Sequence, residues 1–185
     1  MKATGIVRRI DDLGRVVIPK EIRRTMRIRE GDPLEIFTDS DGEVIFKKYS
    51  PIGELTGVSS QYADVLYRIC GYPVIISDTD SIVSAAGVPK KEVLERRVSQ
   101  RLDELMEKRK SYISNDEQEE TMSPFKPVEG YSRPAVAVCP IIVSGDVCGS
   151  VSLLKKDEDN KITCEKSDAK LVTLAADFIS KQMEQ

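Results

Sequence analysis

The 185-residue chain contains no histidine. The commonest general base and the commonest transition-metal ligand are therefore missing, and a hydrolytic or metal-centred active site would have to be built without them. Its four cysteines, Cys70, Cys139, Cys148 and Cys164, form no C-x-x-C pair. That spacing fits neither a zinc motif nor, in a reducing compartment, a disulfide framework, so four buried free thiols are expected. A phosphate-cradling glycine loop and a serine nucleophile motif are also lacking, and no enzyme activity, cofactor or metal is expected. No apolar run approaches the roughly 20 residues of a membrane span. The start, Met1-Lys2-Ala3-Thr4-Gly5, has no apolar signal core, so a cytoplasmic chain with no membrane partner is expected.

With 40% hydrophobic and 32% charged residues, the composition is that of a soluble globular protein long enough for two domains. Its charge is unevenly placed. The net charge is -3, yet residues 1–29 carry nine Lys or Arg against three Asp or Glu. A local surplus of cations on an acidic chain points to a polyanionic partner met by one domain, with double-stranded DNA the leading candidate. The ordinary alternative for any such cluster is a solvated surface.

Ile6, Arg8 and Ile10 alternate with Val7 and Arg9, and Arg15-Val16-Val17-Ile18 follows the turn-like Asp11-Asp12-Leu13-Gly14, a pattern that predicts a hairpin. Leu34–Thr38 and Glu43–Lys47 predict a second hairpin around Asp41-Gly42, where glycine accepts the positive φ of a tight turn. Between them Pro19 suits the first turn of a helix that Gly31-Asp32-Pro33 ends. On that helix Ile22 and Met26 share the packing side, while Lys20, Arg23, Arg24 and Arg27 spread over a further arc of roughly 100°. Four short strands and one helix bury little apolar surface, so this domain is expected to need a partner.

These residues resemble the AbrB family of bacterial transition-state regulators, whose Gly-Arg-Val-x-Ile-Pro-Lys-Glu-Ile-Arg signature stands here at Gly14 to Arg23. The resemblance implies an α+β protein beginning with a swapped-hairpin β-barrel dimer over residues 1–49. It also implies DNA contacts at Arg8, Arg15, Arg23 and Arg24. The neighbouring Lys2, Arg9, Lys20 and Arg27 complete the basic set from their position. Two chains would present eight of the family arginines. The length and second domain resemble those of a sporulation regulator from spore-forming bacteria.

Tyr49-Ser50-Pro51-Ile52-Gly53 breaks the last strand, and residues 50–54 are expected as a linker. Over residues 55–185, Leu55, Val58, Tyr62, Val65, Leu66 and Ile69 recur at helical spacing, as do Leu171, Leu174, Ala175, Phe178, Ile179 and Met183. Pro73–Ser77 with Ser81–Ala85, and Ala135–Val143 with Val147–Leu154, predict two more hairpins, the second central in its sheet. Lys90–Lys110 reads as a charged helical region and Asn115–Glu120 as an exposed acidic loop. A sheet bracketed by helices is similar to a GAF domain, a fold that commonly senses small molecules or mediates dimerisation. The Asn-Lys-Phe-Asp-Glu motif of cyclic-nucleotide-binding members is absent, since Asn160-Lys161 is followed by Ile162-Thr163-Cys164. An unidentified small-molecule effector fits this reading. The apolar stripes of the outer helices imply a four-helix bundle with another copy, giving a tetramer that is held at both domains.

The leading expectation is a transcriptional regulator of sporulation genes, associated with the nucleoid. Two alternatives belong to other classes. An antitoxin shares the swapped-hairpin fold but usually adds a short, weakly structured segment, whereas residues 54–185 carry the periodicity of a folded core. A GAF-fold thiol-dependent reductase would need activated cysteines, and Cys139 and Cys148 sit in apolar strand patterns.

Overall fold

In the computed structural model, which describes residues 4–54, 56–114, 124–157 and 164–184, the chain divides into two compact units, Met1–Tyr49 and Ser50–Gln185. The first opens on an arm without regular structure, turned back by Asp11, whose N–H donates to the Arg15 carbonyl at 3.0 Å. Gly14, at φ +77°, donates to the Asp11 carbonyl at 3.0 Å. The turn of the expected first hairpin is present, but its strands are not assigned over residues 4–18. One chain supplies nothing to cover them: Val7 is 89% exposed, and Ile10, Leu13 and Val17 are exposed too.

The helix α1 (Lys20–Thr25) is shorter than its sequence pattern. Ile28 donates to the Arg23 carbonyl at 2.7 Å and Arg27 to that of Arg24 at 3.3 Å, which closes the helix with Arg27 left-handed at φ 52°. Gly31-Asp32-Pro33 therefore lies beyond the helix rather than ending it. Met26, expected to pack beside Ile22, is exposed, and α1 buries no residue. Strands β1 (Leu34–Thr38) and β2 (Val44–Lys48) pair antiparallel, Ile36 opposite Phe46.

Residues 50–54 are not a linker. Pro51–Glu54 form a helical turn, α2, capped by Ser50, whose Oγ accepts from the Gly53 N–H at 3.1 Å and donates to Asp78 at 2.9 Å. Ile52 is fully buried in the second unit's core. Proline stops a strand but also starts a helix, so the same residue supports both readings.

The second unit continues through α3 (Thr56–Cys70), β3 (Val74–Asp78), β4 (Ile82–Ala86), α4 (Lys90–Val93), α5 (Gln100–Glu107), β5 (Tyr112–Ile113), β6 (Ala135–Val143), β7 (Asp146–Leu154) and α6 (Lys166–Met183). The five strands run antiparallel in the order β4-β3-β7-β6-β5, which puts the most apolar pair inside the sheet, as expected. On one face Val74, Ile76, Ile141, Val151 and Leu153 pack against α3 and α6 through Ala63, Leu66, Val172, Ala175, Ala176 and Ile179. Small residues on both helices let them lie close to the sheet. The opposite face buries Ile75, Ile82, Val138 and Leu154 beneath Val93, Leu102, Met106 and Phe125.

The charged stretch Lys90–Lys110 is two short helices rather than one helical region. Between them Arg97 bridges to Ser81 and Val98 to Val128, and Ser99 caps α5 by accepting from the Leu102 N–H at 3.2 Å. Only Cys139 of the four free thiols is buried; Cys70, Cys148 and Cys164 are partly exposed. The acidic loop Asn115–Glu120, Leu55, Lys2 and Asn160–Thr163 lie outside the described residues. No helix among the described residues is long and apolar enough to cross a membrane.

Candidate nucleic-acid interface

All the basic side chains singled out in the sequence belong to the first unit. Arg8 and Arg9 stand exposed on the arm before the turn, and Arg15 on the arm after it. Lys20 opens α1, while Arg23 and Arg24 occupy its last turn, where cations complement the negative end of the helix dipole. Arg27 follows at the left-handed position that closes the helix. Its carbonyl accepts from Lys48 Nζ at 2.9 Å, and Lys48 lies 3.5 Å from Asp32. Asp32 in turn accepts from the Arg29 N–H at 2.8 Å. This chain of contacts ties the end of α1 to β2 and fixes where Arg27 leaves the surface.

Arg15 is held by Asp11 through both backbone and side chain. Its Nε lies 2.8 Å from Asp11 Oδ2, and its backbone N–H donates to Asp11 Oδ1 at 2.7 Å. The Leu13 N–H donates to the same oxygen at 3.1 Å. The Arg15 backbone N–H first and its guanidinium second hold the Asp11 carboxyl below the ordinary carboxylate range. Sequence reading treated Asp11 only as a turn former. An aspartate four residues ahead of an arginine across a turn glycine is the signal that it also grips the side chain.

In the second unit Arg133 is held by Asp157 at 2.6 Å, and the thiols are shifted away from reactivity. Burial pushes Cys139, Cys148 and Cys70 above the ordinary thiol range, and Cys164 is pushed up to about 11 by burial and the nearby Asp168. A thiol with a raised pKa is less ionised near neutrality and attacks more slowly. Native protein at about pH 8 should therefore react with Ellman's reagent more slowly than free cysteine does, and faster once unfolded in guanidinium. A native thiol outpacing free cysteine would revive the reductase reading.

Comparisons with known proteins match the two parts of the chain to different families, meeting at residues 53 and 54. The family described as "Stage V sporulation protein T C-terminal, transcription factor" matches residues 54–184. The family "Antidote-toxin recognition MazE, bacterial antitoxin" matches residues 7–53. Stage V sporulation protein T of Bacillus subtilis is 49% identical over 187 aligned residues, spanning 100% of both chains. The transition state regulatory protein AbrB of the same organism is 47% identical over 77 residues, which is 42% of this chain and 78% of that one. The second unit has the fold of a type II free methionine-R-sulfoxide reductase from Thermoplasma acidophilum, with TM-score 0.52 at 13% identity. That match covers 71% of this chain and 94% of the other, and at such identity it speaks for fold alone. With an AbrB-like first unit, a second unit matched by the sporulation family and a relative matched from end to end, the chain belongs to the stage V sporulation protein T family of sporulation transcription regulators.

Proposed function

We propose that two copies of residues 1–49 interleave their arms into one barrel whose paired basic face, including Arg8, Arg15, Arg23 and Arg24 of each copy, binds duplex DNA. One observation carries this reading. In a single chain the arms that bear Arg8, Arg9 and Arg15 leave Val7, Ile10, Leu13 and Val17 exposed. Apolar residues in that number on one small unit need cover, and a second copy of the same arms is complementary in pattern. Arg9, Lys20 and Arg27 flank the family arginines and add charge that duplex phosphates attract, as would Lys2.

Residues 50–185 then act as the regulatory domain in the cytoplasm, at the nucleoid. They bias the assembly through association of their outer helices or through a small-molecule effector. No catalytic step is assigned to them, because burial raises the thiol pKa values rather than lowering them.

The test is the affinity of the full-length protein for a fluorescent duplex across a salt series. Six to ten phosphates neutralised together would cost about 10³- to 10⁵-fold in affinity between 50 and 200 mM salt. Arg24→Ala removes one cation per copy and should flatten the log–log salt slope by about one unit for each. Binding that is absent or indifferent to salt would move the arginines to a protein interface and favour the antitoxin reading, for which the residue 7–53 family match is the specific support.

A further inference from the structure

We infer that Asp11 and Arg15 together form the sequence-reading element of the DNA interface, with Asp11 the positioning residue that aims the Arg15 guanidinium at a guanine edge. The inference rests on the DNA-binding reading above and adds a division of labour among its arginines. Arg15 would read a base, whereas Arg8, Arg9, Lys20 and Arg24 would meet phosphates.

The two residues are joined three times. The Asp11 N–H donates to the Arg15 carbonyl at 3.0 Å, and the Arg15 N–H returns a bond to Asp11 Oδ1 at 2.7 Å. Oδ1 also accepts from the Leu13 N–H, while Oδ2 accepts from Arg15 Nε at 2.8 Å. Gly14, at φ +77°, gives the turn a conformation that an L side chain would strain. The Arg15 side chain is 70% exposed. An exposed ion pair contributes little to stability, so its geometry matters more here than its energy.

With Nε engaged, the two terminal amino groups of Arg15 remain to donate side by side. Guanine presents O6 and N7 as two acceptors in the major groove, which such a fork meets bidentately. Adenine offers a donor at one of those places and mismatches a side chain that has no acceptor. Fixing the fork before binding lowers the rotamer entropy lost on contact. The electrostatics favour the same division. Asp11 cancels the Arg15 charge at close range and repels phosphate, so the pair adds little to sequence-independent attraction.

The test selects duplexes from a pool with about 20 randomised base pairs, then compares affinity for the selected and the unselected pool. Wild-type protein should enrich guanine at a fixed position in each half of the site. Asp11→Asn keeps a carbonyl oxygen for the turn but turns an amide donor toward Nε. Its selected-to-random ratio should fall about tenfold, while binding to the random pool tightens because an acidic charge is gone. Arg15→Lys keeps the charge without the fork and should lose the same ratio. The double variant should be no worse in ratio than Arg15→Lys alone, because both act through one contact.

Equal losses on both pools for Asp11→Asn would reduce Asp11 to a turn former and overturn the inference. A ratio unchanged in Arg15→Lys would make Arg15 a phosphate clamp and overturn it equally. A wild-type protein that binds the pool without enriching any base would overturn base reading and leave DNA binding standing. Failure to bind the pool at all would remove the underlying DNA reading as well.

Discussion

Gly149→Ala is expected to lower the thermal midpoint of the second unit by about 10 °C or more. A Cβ at this position would stand 1.9 Å from the Ser77 carbonyl oxygen and 2.7 Å from Ile52 Cδ1. The Ile52 methyl can rotate away, but the Ser77 carbonyl belongs to β3, which pairs with β7 at Ser77–Ser150 and Asp78–Gly149. Relieving the contact means parting the two central strands and disturbing the bond between the Ser77 and Ser150 hydroxyls at 2.8 Å. A cost above about 3 kcal/mol is expected, a large share of the roughly 5–15 kcal/mol that holds an ordinary domain together. Gly87→Ala is the useful contrast. Its Cβ would meet the Tyr67 ring at 2.5 Å, but the side chain is partly exposed and free to swing. What remains there is the strain of a positive φ, so its midpoint should fall less. Equal midpoints for Gly149→Ala and wild type, followed by circular dichroism, would show that β3 and β7 separate more easily than their register implies.

The β6–β7 hairpin was legible in the chain because each signal agreed with the others. Two apolar runs flank Ser144-Gly145, and both residues take positive φ, 50° and 92°, between the paired Val143 and Asp146, as a two-residue hairpin turn requires. The first hairpin carried an equally clear alternation, yet one chain does not form it. Alternation records that a face is to be covered, and is silent about which chain covers it. The missed strand β5 has two residues, too few for any period to register. Lys90–Lys110 failed for a different reason: its helical charge pattern is interrupted at Glu95, which adopts φ 62° and lets Arg97 and Val98 turn toward neighbouring segments.

The basic residues of the site were legible because charge is visible residue by residue. Their geometry was not. The contact between Asp11 and Arg15 depends on a left-handed backbone at Gly14, and the seat of Arg27 depends on Lys48, twenty-one residues away. Net-charge counting treats Asp11 as a subtraction from the basic face. In the folded turn it holds Arg15 from both backbone and side chain.

Placing glutamate at both Ile69 and Leu174 should halve the mass of the assembly. On α3 the residues Ser59, Ala63 and Leu66 face the sheet, while Tyr62, Val65 and Ile69 form a second apolar row beside them. On α6 the buried row Val172, Ala175, Ala176 and Ile179 is likewise flanked by Leu174 and Phe178. The Tyr62 and Phe178 rings stack at 4.7 Å, joining the outer rows of the two helices into one surface. Ile69 is 65% exposed and Leu174 59%, so replacing them costs an isolated unit little. If the surface docks on its own copy as a four-helix bundle, each glutamate is buried without a counter-charge, at several kcal/mol apiece. Sedimentation at micromolar concentration should then report tetramers for wild type and dimers, held by the first units, for the variant. DNA binding by the paired basic face should persist in that dimer, because the arginines lie on the other unit. Loss of binding to two neighbouring sites as a unit, with binding to one site retained, would make the outer helices the route by which the second unit governs how DNA is occupied. A wild-type dimer, or a variant that remains a tetramer, would leave this apolar surface without the partner assigned to it.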